Sequence, residues 1–352
     1  MTWARKTALT TGIVLAAGLF VLGYNFARHY AIPSSHESVS FDSGDVTLVG
    51  TLLKPEGDGP YPAMIVLHGS GRDTIRDPLF RSQARALARA GFAVLLYGKR
   101  GVDGSGGDFE AAQYADFIDD AIAAVTYLVS RPDIDANRIG LLGNSESGWF
   151  TPEIAYRTNA VAFIVNRVAP SLPWIENVLW EVRNDFLADG IAESDVDALV
   201  EITEVSWQYY IDAGRDPSPR DAMRRTVINE ELRRLRVNVP GANEVLRREL
   251  DDDPATFEWF ANNATYDPQP YLERIELPML YVYGETDINV PTEDCVVFLD
   301  WLRDSYGKPI DVVVFDDVGH SMFTWSGLFN AGFVPGYLEL LQDWSRAQAG
   351  LE

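Results

Sequence analysis

The sequence predicts an α/β fold, in which a mostly parallel central sheet carries helices on both faces and a helical cap interrupts the chain. Short, continuous apolar runs such as "AMIVLH" and "FAVLLYG" are typical of strands that are covered on both faces. Segments with helical apolar spacing separate these runs, and that order favours right-handed crossovers between parallel strands. A third observation predicts the cap, because residues 171–266 contain no good strand pattern.

The elements follow one another in a regular order. Alternating residues around 43–45 indicate a first hairpin. The apolar runs "AMIVLH", "FAVLLYG", "RIGLLGN" and "AVAFIVN" predict four strands before the cap, and "LPMLYVYG" and "IDVVVFDD" predict two after it. Helices are predicted at "FRSQARALARAG" and "YADFIDDAIAAVTYLVSR", after Ser145, from Thr292 and near "GYLELLQDWSRAQ".

This order divides the chain into parts. Residues 31–170 and 267–352 form the predicted core, and residues 171–266 form the predicted cap. Insertions of about a hundred residues are uncommon as simple loops and often serve as lids or binding walls. We expect the cap tryptophans mainly in its core, with one or two also in contact with substrate; they are Trp174, Trp180, Trp207 and Trp259.

Residues 1–30 predict a membrane anchor. The uncharged run "TALTTGIVLAAGLFVLGYNFA" would be about 30 Å long as a helix, which is the thickness of a hydrocarbon core. Arg5 and Lys6 precede it, and no acidic residue occurs before Glu37, so the remaining chain is expected outside the cytoplasm, in the periplasm or extracellular space. The alternative is a signal segment whose cleavage would release a secreted protein.

Composition excludes several kinds of partner and site. The net charge of −23 and the pI of about 4.5 exclude nucleic acid as an expected partner. Cys295 is the only cysteine in the sequence, so an intramolecular disulfide and a cysteine-based metal cluster are both excluded. No metal or organic cofactor is predicted.

The stretch "GNSESG" predicts a nucleophile at Ser145, between a buried strand and a helix. A nucleophile on such a turn needs a strained backbone and small neighbours, here Gly143 and Ser147. The turn also places backbone N–H groups at a helix N-terminus, where they can stabilise an oxyanion. The alternative is that Ser145 or Ser147 simply caps the helix.

A serine nucleophile needs a base to accept its proton. The sequence has four histidines, and two of them, His29 and His36, lie in the segment from about Arg28 to Glu37, which is predicted to be a short tether between the membrane segment and the domain. His68 ends the first long strand and is expected to order the loop that follows. His320, just after the last apolar run, is therefore the predicted base.

The imidazole in turn needs an acid that fixes its tautomer. Asp287 in "YGETDINVP" lies just beyond a buried strand, where sites of this kind assemble. Glu285 is the alternative acid, two residues earlier. The order Ser145, Asp287, His320 matches one of the known triad orders.

Five stretches together resemble the α/β-hydrolases, and within them bacterial serine hydrolases related to the dienelactone-hydrolase and acyl-peptidase branches. They are "VLHGSG", "YGKRGVDGSGGDF", "RIGLLGNSESGW", "YGETDINVP" and "GHSMF", and outside the cap the resemblance covers residues 41–344. It implies the α/β-hydrolase fold, a cap over the site, and an oxyanion hole formed by the backbone N–H groups of Ser70 and Glu146.

The sequence departs from the family pattern at three positions. Ser147 replaces the usual glycine, and Gly98 replaces an aspartate that is common there. The dienelactone branch has a cysteine nucleophile where this chain has Ser145, so its substrate is not implied.

These residues predict a serine hydrolase that cleaves carboxylic esters through an acyl-enzyme intermediate, with a small ester or acyl compound as substrate. Esters are expected because they need the least help to expel their leaving group. One alternative is a peptidase or amidase, which would need cap or loop carboxylates to hold the N-terminus of a short peptide. Another is a non-catalytic receptor or scaffold with the cap as its binding surface.

Overall fold

The computed structural model describes residues 18–20, 23–24, 36–246, 248–329 and 331–351. Most of the segment that predicts a membrane anchor, together with residues 28–35 of the tether, lies outside the described residues. His36 and Glu37, which the sequence assigned to the tether, are instead the first two residues of the first strand, where they pair with Leu53 and Leu52. Among the residues that are described, no helix combines the length and the apolar character that a membrane span requires. The anchor and the extracytoplasmic location of the domain remain predictions.

The central sheet has eight strands in the order β1-β2-β4-β3-β5-β6-β7-β8. Only β2 runs antiparallel to its neighbours, β1 and β4, and all other neighbouring strands are parallel, so the predicted mostly parallel sheet is confirmed. The strands are β1 (His36–Ser43), β2 (Val46–Leu53), β3 (Tyr61–Leu67), β4 (Ala93–Tyr97), β5 (Ile134–Asn144), β6 (Val161–Arg167), β7 (Met279–Gly284) and β8 (Ile310–Phe315).

Helices connect the parallel strands and form the insertion. In chain order they are α1 (Pro78–Arg89), α2 (Tyr114–Val129), α3 (Glu146–Thr158), α4 (Trp174–Ala188), α5 (Glu193–Arg215), α6 (Asp221–Asn238), α7 (Ala242–Val245), α8 (Pro254–Asn263), α9 (Gln269–Leu272), α10 (Thr292–Tyr306) and α11 (Tyr337–Gln348). Helices α4 to α8 lie within residues 171–266, which we refer to as the cap.

Local sequence signals determine where several helices begin and end. Both α1 and α8 begin at a proline, whose fixed φ angle suits the first helical position. The aspartates that precede them, Asp77 and Asp253, accept hydrogen bonds from free N–H groups of the first turn. Helix α10 ends before Gly307, whose φ of 65° lies in the left-handed region that glycine adopts readily.

Two apolar layers cover the faces of the sheet. Along β3, Ile65 packs on one side with α2 and α3, whereas Met64 and Val66 pack on the other side with α1 and α11. All three side chains are completely buried, and the burial of each contributes about 1.5–3 kcal/mol to the free energy of unfolding. Burial on both faces explains why the strands are continuous apolar runs.

The cap has an apolar cluster of its own, built mainly from α5 and α6. It joins the core through aromatic contacts, in which the ring of the core residue Tyr114 lies 6.3 Å from Trp259 and 6.0 Å from Tyr266 between ring centroids. The indole N–H of Trp174 also donates to the hydroxyl of Tyr114, at the start of α2 (3.1 Å). The cap is therefore a separately packed unit that is attached over the carboxyl edge of the sheet.

Candidate active site

Three sequence-predicted side chains meet at the carboxyl edge of the sheet. Ser145 follows β5, Asp287 follows β7, and His320 follows β8. The Ser145 Oγ lies 2.9 Å from His320 Nε2, and His320 Nδ1 lies 2.9 and 3.1 Å from the two carboxylate oxygens of Asp287. Because an ionised carboxylate can only accept hydrogen bonds, Nδ1 carries the proton and Nε2 is left to accept the serine hydroxyl.

The Ser145 backbone has the strained geometry expected of a nucleophile turn. Its φ of 51° and ψ of −123° lie in a region that side-chain-bearing residues rarely adopt. Although Ser145 stands at the start of α3, its side chain makes no capping hydrogen bond. Instead the Ser147 hydroxyl accepts from the N–H of Asn144 (2.8 Å) and donates to its carbonyl (3.1 Å), which braces the turn.

Close packing around the turn requires glycine at two positions. A Cβ atom on Gly148 would lie 2.1 Å from the Cβ of Ala169, and one on Gly143 would lie 2.8 Å from the Cα of Gly148. Neither contact is possible without moving α3 away from the sheet. The sequence predicted small residues at 143 and 147, and the structure locates the tightest contact one residue later, at 148.

The acid of the site is held rigidly. Asp287 is almost completely buried and accepts the backbone N–H groups of Asn289 (2.8 Å) and Val290 (3.0 Å). Glu285, the alternative acid, accepts the N–H of Asp317 (3.0 Å) and so braces the end of β8. The structure therefore brings Asp287, and not Glu285, against the imidazole.

Ser70 and Glu146, the residues that the resemblance implies for an oxyanion hole, line the same cavity as Ser145 and His320. Glu146 is the first residue of α3, so its N–H has no partner within the helix. In the part of the chain that the structure describes, neither N–H donates a hydrogen bond. Both donors are therefore free to bind an anion.

His68 is buried just before the loop that contains Ser70, and its side chain makes no hydrogen bond with Ser145. Its ring packs edge-on against Phe80, at 4.6 Å between centroids. Burial, with a smaller contribution from Lys99, lowers the pKa of His68 to about 3, so the imidazole is neutral. The role of His68 in ordering the loop remains a prediction.

A cavity of about 410 Å³ lies over Ser145, between the core and the cap. Its walls include four large aromatic side chains, which come from both parts of the chain: Tyr114, Trp149, Trp174 and Trp259. Trp174 and Trp259 therefore serve both as packing residues and as cavity walls. Sequence reasoning named no role for Tyr114 or Trp149, whose burial next to the site depends on how the cap is attached.

The carboxylate of Glu181, on cap helix α4, also faces this cavity. It accepts a hydrogen bond from the side-chain amide of Asn289 (2.6 Å), and no basic side chain forms an ion pair with it among the described residues. Burial raises the pKa of Glu181 above its ordinary range. Sequence reasoning missed this residue, because Glu181 resembles the many solvated acids of the cap helices.

A second missed residue, Arg167, ends β6 and is almost completely buried. Its guanidinium donates to the side-chain oxygen of Asn144 (2.8 Å) and to the backbone carbonyl of His320 (3.1 Å). It therefore links the strand before the nucleophile to the loop of the histidine. Among the described residues, no cluster of three or more potential metal ligands occurs.

Comparisons with known proteins bear on the family and the fold of the chain. The sequence profile of the X-Pro dipeptidyl-peptidase (S15) family matches residues 43–306. The esterase EstD of Thermotoga maritima is 27% identical over 311 residues, which cover 85% of this chain and 64% of that esterase. The uncharacterized peptidase YuxL of Bacillus subtilis is 32% identical over 143 residues, which cover 38% of this chain and 22% of that protein.

Among solved structures, the α/β-hydrolase GrgF of a Penicillium species superposes with a TM-score of 0.53 and 19% identity. The superposition covers 90% of this chain and 99% of that one. At that level of identity the similarity shows the fold alone, and it confirms the predicted fold class.

Proposed function

Because this chain belongs to the X-Pro dipeptidyl-peptidase (S15) family, within the α/β-hydrolases, we propose that it is a serine hydrolase that cleaves carboxylic esters through an acyl-enzyme. The observation that carries the proposal is the continuous hydrogen-bonded line from Ser145 through His320 to Asp287. The relationship to the esterase EstD supports it, although this chain spans only 64% of that esterase's length.

In the proposed mechanism, Ser145 Oγ attacks the carbonyl carbon of the ester while His320 Nε2 accepts the hydroxyl proton. The Asp287 carboxylate stabilises the resulting imidazolium, and the N–H groups of Ser70 and Glu146 stabilise the oxyanion. His320 then gives the proton to the departing alkoxide, which leaves as an alcohol. A water molecule attacks the acyl-serine, with His320 again as base, and the carboxylic acid is released.

Replacement of the nucleophile tests this proposal. We expect Ser145→Ala to abolish turnover of short-chain aryl esters and labelling by a fluorophosphonate, with little change in melting temperature. Ser130→Ala, which removes an exposed hydroxyl at the end of α2, is the matched control and is expected to behave like the wild type. Undiminished turnover by Ser145→Ala would contradict the mechanism. A folded wild-type protein that neither labels nor turns over esters would favour the receptor or scaffold alternative.

A second candidate function is hydrolysis of amides or short peptides that carry a free amine. The supporting observation is Glu181, a cap carboxylate in the cavity with no ion-pair partner among the described residues. Such a group can bind an ammonium, and the surrounding aromatic faces favour cations. Higher kcat/KM for aminoacyl anilides than for aryl esters of the same acyl group would favour this candidate over the esterase.

A further inference from the structure

Lys99 is a buried cation directly beneath the proposed oxyanion hole. It lies two residues after the end of β4, and it is only 8% exposed. Its ammonium donates to the carbonyl oxygens of Gly69 and Gly71, the latter at 3.2 Å. The carboxylate of Glu146 lies 3.6 Å from the same nitrogen. Lys99 therefore contacts both segments that supply the oxyanion donors.

The contact with Gly69 has a direct geometric consequence for Ser70. The carbonyl of Gly69 and the N–H of Ser70 belong to one planar, trans peptide unit, so they point in opposite directions. An ammonium that holds the carbonyl on one side fixes the direction of the N–H on the other. The second bond, to Gly71, holds the loop on the far side of Ser70.

The charge of Lys99 also strengthens that N–H as a donor. A cation hydrogen-bonded to a carbonyl oxygen polarises the amide, and neighbouring hydrogen bonds in a chain strengthen one another. The ammonium lies over the rings of Phe109 and Phe117, at 5.5 and 5.0 Å from their centroids, and these rings help to keep it out of water. Its field is therefore poorly screened at the site.

Glu146 is tied to the same ammonium. Burial raises the pKa of the Glu146 side chain, and Lys99 acts in the opposite direction. The ion pair anchors the first residue of α3, whose N–H is the second proposed donor. Loss of Lys99 would remove the one ion-pair partner that this carboxylate has among the described residues.

We propose that Lys99 is a positioning residue of the oxyanion hole, which orients the Ser70 N–H through the Gly69 carbonyl and the Glu146 N–H through the ion pair. This inference rests on the proposed serine hydrolase function. It assigns to Lys99 an effect on the transition state and none on substrate binding in the ground state.

The test is Lys99→Met, which keeps an unbranched apolar stem and removes the charge and its donors. Loss of one oxyanion donor lowers kcat by about 10²–10³, so loss of its support is expected to lower kcat by about 10–100-fold. KM for the same aryl ester is expected to stay within about twofold. Binding of an alkyl boronic acid, which forms a tetrahedral adduct on Ser145, is expected to weaken by the same factor as kcat. Lys99→Arg, which retains the charge, is expected to recover part of the loss.

Lys308→Met is the matched control. Lys308 is also buried, donates to a backbone carbonyl (Ile275, 3.1 Å) and forms an ion pair with Glu276 (2.6 Å), but it lies at the opposite end of the sheet, before β8. Its replacement is expected to lower the melting temperature and to leave kcat of the folded protein unchanged.

The outcomes separate this inference from the proposed function. If the wild type is active and Ser145→Ala is not, but Lys99→Met retains kcat and boronate affinity, the role of Lys99 is refuted and the hydrolase remains. A change in KM alone, or an equal loss of kcat in Lys308→Met, would also refute it. If Lys99→Met does not fold, Lys99→Gln, which keeps a donor without the charge, replaces it. The same result is then expected, namely a lower kcat with KM almost unchanged.

Discussion

The loops at the carboxyl edge of the sheet and the helices of the cap line one cavity, but they hold their side chains in different ways. In the loops, backbone hydrogen bonds hold two of the three triad residues: the N–H of Ser145 donates to the Arg167 carbonyl (3.0 Å), and the Asp287 carboxylate accepts two N–H groups. In the cap, Trp174 and Glu181 reach the cavity from a helix that packs mainly through side chains. The three triad side chains thus come from the core, whereas the walls of the cavity depend on how the cap is attached.

The ion pairs of the two regions differ in the same way. In the core, Arg100 forms two hydrogen bonds with Asp120, whose side chain is 1% exposed, so both charges need each other. In the cap, Arg233 and Glu249 form a similar two-bond pair, but their side chains are 56% and 39% exposed. Water solvates these cap charges whether or not they are paired.

The largest expected effect comes from the core, in the variant Asp287→Asn. The asparagine oxygen can still accept the N–H groups of Asn289 and Val290, so the fold is retained. Its amide NH₂ then faces His320 Nδ1 and forces the proton onto Nε2, which can no longer accept from Ser145. We expect kcat to fall by about 10³–10⁴, as steady-state ester hydrolysis would show.

Glu285→Gln is the control for this variant, since it makes the same type of change two residues away. We expect ester turnover to remain near the wild-type value. A loss of kcat as large as that of Asp287→Asn would mean that both acids orient His320, and the assignment of this role to Asp287 alone would be wrong.

A smaller, substrate-dependent effect is expected from the cap variant Glu181→Gln, which retains the shape of the side chain and removes its charge. For an aminoacyl ester with a free amine, kcat/KM is expected to fall about tenfold, the equivalent of about 1.4 kcal/mol. For a neutral ester of equal size it is expected to change little. Because burial raises the pKa of Glu181, the carboxylate protonates as the pH falls through that raised value, and the wild-type preference for the amine should disappear in that range.

Glu176→Gln, an exposed acid on the same helix, controls for the loss of one negative charge from the cap. An equal loss of kcat/KM for the aminoacyl ester in both variants would indicate that the acidic surface attracts cations in general. Equal losses for neutral and cationic esters in Glu181→Gln would show that the residue shapes the cavity without selecting charge.

The same division explains what the sequence could predict. Ser145, Asp287 and His320 each follow a buried apolar run, and parallel strands bring such ends to one edge, so their convergence was predictable from local pattern. Lys99 carried the same signal, directly after the run "FAVLLYG", but a lysine near a loop is usually solvated. Glu181 had no local signal. It differs from the exposed acids around it only because the attachment of the cap makes it face the cavity.

The smallest effect is expected from Arg233→Ala on the cap surface. If the apolar cluster and not surface charge holds the cap together, breaking the exposed pair with Glu249 should change neither melting temperature nor ester turnover measurably, at low or high salt. The adjacent residue supplies the contrast: Leu232 is buried in the cap cluster, and Leu232→Ala is expected to cost about 2–5 kcal/mol in unfolding free energy. A marked, salt-dependent loss of stability in Arg233→Ala would mean that the cap depends on its surface ion pairs, and selectivity at the cavity would then vary with ionic strength.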